Sequence, residues 1–162
     1  MNLPTWAGES TVRIVLMRSF VAVGVGMLLA LLLALLVVGG ILAPVLSAVF
    51  GLEVERSRAV PVILPLLLFV AAFSFYFGGM ISAYRAPTRR RLHGILVVPA
   101  AFVLSALLNL VTGQGLLPGL DGARGVVLAC VFLLVSVAAS YVGARRGETL
   151  YTQTQKVARR RR

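Results

Sequence analysis

The stretch Tyr84-Arg85-Ala86-Pro87-Thr88-Arg89-Arg90-Arg91-Leu92-His93-Gly94 lies near the middle of the chain, between two long apolar runs. It holds four arginines and no acid. Arginine is costly to carry across a bilayer, so such a turn reports the side on which it stays. The run before it, Ala59–Tyr84, and the run after it, Leu92–Val111, are each long enough to span. A spanning helix needs about 20 residues at roughly 1.5 Å each. Ser19–Val38 and Ala123–Ala144 meet the same test. The predicted fold class is an all-α membrane protein, with four transmembrane helices as two hairpins. Residues 1–18 form an N-terminal segment, 19–144 the membrane domain and 145–162 a basic tail.

Composition agrees with lipid as the solvent. Of 162 residues, 59% are hydrophobic and 13% charged, against roughly a quarter charged in soluble domains. The net charge of +11 would suggest nucleic acid if the chain were soluble. Here the cations lie in short connections and a tail beside apolar runs, so nucleic acid is not expected. A topology signal and attraction to anionic headgroups explain the charge instead.

Counting cations predicts the orientation. With the N-terminus, the central turn and the tail on one side, that side holds thirteen of the sixteen Lys+Arg against Glu9 and Glu148. The other side holds Arg56, Arg58 and Arg124 against Glu53, Glu55 and Asp121, which cancel. The positive-inside rule then puts both termini in the cytoplasm of a bacterial plasma membrane.

Several local expectations follow. Ser10 or Thr11 caps the first helix, and Trp6 rests at headgroup level. The uncharged stretch Ser19–Phe50 is too long for a signal-peptide core. Gly39-Gly40 and Ala43-Pro44 should break or kink it. Residues 41–50 then form either a short interfacial helix or an extension of a tilted first helix. Asp121 caps the fourth helix. The tail ending Arg159-Arg160-Arg161-Arg162 should be disordered and drawn to an acidic membrane surface.

The second and fourth runs end alike. Gly79 and Ala83 precede Arg85 as Ala139 and Gly143 precede Arg145. Small residues four apart share a helix face and let two backbones approach. With Gly78, these residues are the predicted helix-packing set, and the two helix ends should cross in a four-helix bundle. Through Gly78-Gly79-x-x-x-Ala83-x-Arg85-Ala86 and then Arg91-Leu92-His93-Gly94, the chain resembles the small four-helix bacterial membrane proteins of the YrzE-like type. The likeness covers roughly Ser19 to Arg146. It implies two helical hairpins and no particular activity. Pro61 and Pro65 and the arginine tail depart from that pattern.

The sequence offers little chemistry. No span carries Asp, Glu, Lys or Arg in its middle, which weighs against proton pumps and intramembrane hydrolases. One histidine and one cysteine, Cys130, exclude a His/Cys metal cage. No phosphate loop is present, since Lys156 is the only lysine. An enzyme is not expected, and no cofactor is implied. Arg85, Arg89, Arg90, Arg91, His93, Arg145 and Arg146 are the candidate contacts to headgroups or phosphate. The polar residues within the spans, Ser74, Ser82, Ser105, Asn109, Ser136 and Ser140, should hydrogen-bond between helices, with Asn109 facing a neighbour. The expected role is a non-enzymatic scaffold or accessory subunit that meets anionic lipid, an acidic membrane partner or a second copy. The alternative is a small oligomeric transporter or channel.

Overall fold

The computed structural model describes residues 6–50, 56–113 and 122–160. All regular structure among them is helical. Helix α1 runs Trp6–Val37, a π-helical turn follows at Val38–Leu42, and α2 is Ala43–Phe50. Then come α3 (Arg56–Arg85), α4 (Arg90–Val111) and α5 (Gly122–Arg160). Four stretches are long and apolar enough to cross a membrane: Arg13–Val45, Ile63–Arg85, Arg90–Val111 and Gly125–Arg160.

The first of these does not break at its glycines. Pro44 lacks the N–H that would continue the α-helical ladder. One wider turn absorbs the defect: the Ala43 N–H donates to the Val38 carbonyl, five residues back. The chain therefore passes from α1 into α2 without a loop. The helix also begins upstream of Ser10 and Thr11, which lie inside it instead of capping it. The side chain of Trp6, the acids Glu53 and Glu55, and the Asp121 cap lie outside the described residues.

Packing inverts the pattern of a soluble bundle. The buried positions are mostly small: Ala22, Ala30, Ala71, Ala83, Ala101 and Ala144 are at most 5% exposed. Large apolar residues face outward, among them Phe20 at 77%, Leu35 at 74% and Leu134 at 68% exposed. In water that surface would be untenable. In lipid it is solvated, and close packing and interhelical hydrogen bonds hold the helices together.

Helix α3 is the centre of the bundle. It packs against α1, α4 and α5, while α4 also touches α1 and α5. Its stripe Ser74, Gly78 and Ser82 is buried, as are Ala86 just past its end and the adjacent pair Gly79 and Ala83. A Cβ added to Gly78 would lie 2.6 Å from the Gly26 carbonyl oxygen of α1. One added to Gly79 would strike the Ser140 backbone of α5. The two neighbouring glycines thus seat two different helices on α3.

Candidate functional site

The basic residues gather at one end of the bundle, built on three glycine-lined crossings. Gly143 lies on the backbone of Tyr76, and Gly147 on that of Met80. Gly94 lies on Ala144, with the Gly79 carbonyl close by. Two serines tie the same region across helices. Ser82 Oγ donates to the His93 carbonyl at 3.0 Å, and Ser140 Oγ to the Gly94 carbonyl at 2.7 Å. Both bonds end on the first turn of α4 and fix it between α3 and α5.

Of the predicted packing residues, Gly78, Gly79, Ala83 and Gly143 are buried in these crossings. Ala139 is half-buried, and its neighbour Ser140 is the residue seated on Gly79. The register of α5 is therefore one residue on from the small pair in the sequence echo.

The arginines separate into two groups. Arg90 turns back into the protein. Its Nη1 donates to the Tyr84 carbonyl at 2.8 Å and the Ala83 carbonyl at 3.2 Å. These are orphan acceptors at the C-terminal end of α3, where a cation also meets the negative pole of the helix. The Arg90 guanidinium lies 3.3 Å over the ring of Tyr151, a cation–π stack. Tyr151 meets Tyr84 edge-on at 6.1 Å. Arg91 pairs with Glu148. So two of the candidate headgroup arginines also contact neighbouring helices, Arg90 both α3 and α5 and Arg91 α5.

Arg85, Arg89, Arg145 and Arg146 are exposed, and no ion pair engages them among the described residues. Arg89 adopts the left-handed conformation, φ 40°, which most side chains avoid. Its carbonyl accepts from the Leu92 N–H at 2.9 Å and starts α4. His93 is half-buried, with Nδ1 3.2 Å from that same carbonyl. A carbonyl can only accept, so a hydrogen bond here is one that Nδ1–H donates. The ring stands at one end of an apolar groove between α1 and α4, which Phe20, Met27 and Leu104 line further along.

The tail corrects an expectation. Disorder is expected for its end from Lys156, but α5 continues as helix to Arg160. Sixteen residues past Ala144 extend it by roughly 24 Å. No glycine or proline follows Gly147 to stop it. Glu148 and Tyr151, one turn apart, are held by Arg91 and Arg90. Beyond them Lys156, Arg159 and Arg160 are exposed.

Sequence reasoning missed Gly26, Gly94, Gly147, Glu148 and Tyr151. A signal existed for the first: Ala22, Gly26 and Ala30 repeat every four residues. Nothing local marked Tyr151, because its partner is 61 residues away. Asn109 is half-buried, and its side chain has no hydrogen bond among the described residues. Cys130 is exposed. No group of three His, Cys, Asp or Glu that could hold a metal occurs among the described residues. No family model, no curated protein and no solved structure matches this chain.

Proposed function

We propose that this chain is a non-enzymatic, multi-pass protein of the bacterial plasma membrane that works by interaction, as a scaffold or accessory subunit. Its four spans form two hairpins, with both termini and the Tyr84–Gly94 turn in the cytoplasm. The basic face engages anionic lipid headgroups or an acidic partner. The observation that carries this reading is the braced extension of α5. The Arg90–Tyr151 stack and the Arg91–Glu148 pair hold a helix clear of the bundle. Arg145, Arg146, Lys156, Arg159 and Arg160 are exposed along it. Two arginines spent on positioning a cation-bearing helix make sense when that helix has something to meet. Charge of one sign on one side also supports the orientation.

A transporter or channel built from a single copy is disfavoured. Towards the basic end the helices meet backbone to backbone through Gly26, Gly78, Gly79 and Gly143, which closes the space between α1, α3 and α5 at those crossings. A conducting form would need a pore between copies. Two experiments test the reading. Affinity capture from native membranes should bring down one stoichiometric acidic partner or tightly held anionic lipid. Purified protein in liposomes should give no solute flux. Flux from a monomer, with neither partner nor lipid retained, would overturn it.

A further inference from the structure

The four helices do not stay in contact along their length. On the side of the bundle away from the arginines they part around a cavity of about 460 Å³, within the roughly 300–1,000 Å³ of small-molecule sites. Its wall is apolar except for Ser74 and Ser105. Phe75, Phe102 and Phe132, from three different helices, line it. The π-turn of the first span begins at Val38 on this wall, and such turns occur frequently at functional sites.

Ser74 is the anomaly. It is 1% exposed, and its Oγ has no hydrogen-bond partner among the described residues. Ser82 and Ser140 are equally buried, and each donates across to a carbonyl of α4. An unmade bond in apolar surroundings costs free energy, so buried hydroxyls are normally satisfied. Ser136 is also buried and unpartnered, one turn beyond Phe132 on the same face of α5.

Depth narrows the choice of ligand. Ser74 stands ten residues from Tyr84 and fifteen from Ala59 in the apolar run of α3, about 15 Å and 22 Å from its two ends. That is near the middle of the hydrocarbon layer. Phospholipids carry their polar atoms at the surfaces and offer no acceptor there. An acceptor at that depth belongs to a molecule lying wholly within the hydrocarbon.

We propose that this cavity binds a lipophilic ring compound bearing a carbonyl. The ring lies among Phe75, Phe102 and Phe132, and the carbonyl accepts a hydrogen bond from Ser74. The ligand enters from the bilayer at the end of the bundle remote from the arginines. The site rests on the helices crossing a bilayer and is independent of what the basic face meets.

The test is photolabelling of the full chain in phospholipid nanodiscs with an alkyl-benzophenone, itself a lipophilic diaryl ketone. Labelling should saturate, and peptide mapping should place it on residues 64–75 and 101–105. Ala71→Phe fills the cavity and should abolish it. Ser74→Ala removes no bond made within the protein, so this variant should melt like the parent. It should nevertheless need about tenfold more probe for half-saturation. Non-saturating label spread over lipid-facing Phe20, Leu35 and Phe69 would overturn the proposal. So would saturable labelling indifferent to Ser74→Ala, since the carbonyl would then not be held by that hydroxyl.

Discussion

Gly143→Ala tests the α3–α5 crossing with the smallest possible change. The added Cβ would strike the Tyr76 carbonyl oxygen, and it would lie 2.8 Å from the carbonyl carbon and 3.1 Å from the Cα. All three are backbone atoms and cannot rotate away. Carbon atoms prefer roughly 3.5–4.0 Å, so α5 must retreat by about 1 Å or α3 must bend. Overpacking of this kind costs about 1–3 kcal/mol. The retreat also stretches the Ser140–Gly94 bond, now 2.7 Å, and losing it costs about 0.6 kcal/mol in a membrane bundle. Against this, alanine gains about 1 kcal/mol of helix propensity over glycine. The net expectation is about 0.5–2.5 kcal/mol of destabilisation. Gly24→Ala supplies the control, because nothing lies within 4 Å of a Cβ added there. It keeps the propensity gain and should stabilise by about 0.5–1 kcal/mol. An SDS titration in dodecyl maltoside micelles, followed by near-ultraviolet circular dichroism of the tyrosines, reads both midpoints. Opposite shifts are expected. If both variants move the midpoint the same way, α3 and α5 do not approach backbone to backbone at Gly143.

Three further outcomes are expected. Arg90→Ala should destabilise by about 1–3 kcal/mol, having removed two charged hydrogen bonds and a stacking contact. It should also speed amide exchange over residues 147–160, whereas Arg91→Ala, which breaks an exposed pair, should cost under about 1 kcal/mol. Arg89→Gly relieves a left-handed arginine and should stabilise by about 0.5–1 kcal/mol in the same titration. Replacing Arg145 and Arg146 together by glutamine should leave the melting midpoint unchanged. The variant should lose about 2 kcal/mol of affinity for phosphatidylglycerol, at about 1 kcal/mol per cation, measured by retention of that lipid in native mass spectrometry.

Four apolar helices were legible because twenty uncharged residues in a row admit few other arrangements. The sequence showed small residues four apart at Gly79 and Ala83, and α3 does bury that face. The partner atom on α5 was not legible, because helix rotation decides it and Ser140 is only one position from Ala139. At Gly39-Gly40 and Pro44, local rules favoured a break or a kink and left open a continued first helix, and it is the continuation that forms: one π-turn meets the need of the missing N–H more cheaply than a loop would in lipid. The tail misled for a different reason. Its composition is that of a disordered segment, yet Glu148 and Tyr151 lie where Arg91 and Arg90 arrive from another helix. A contact across 61 residues leaves no trace in local propensity.

The two ends of the bundle are held by different physics, and that difference underlies both proposals. Lipid supplies no hydrophobic force between helices, so contact must come from dispersion at short range and from hydrogen bonds. At the basic end glycines allow the short range, and Ser82 and Ser140 add bonds to α4 carbonyls that helix geometry leaves accessible. Towards the other end no glycine lines the cavity, whose wall mixes alanines with Leu64, Leu67 and Leu128. The close approach that glycine allows is thus missing there, and the hydroxyl of Ser74 is stranded at the boundary between the two regimes. Replacing Leu67 by alanine would not close the gap, because no partner backbone presents a matching glycine. It would widen the space instead. A cavity maintained by its own walls in this way persists without a ligand, which is what a site that admits molecules from the bilayer requires.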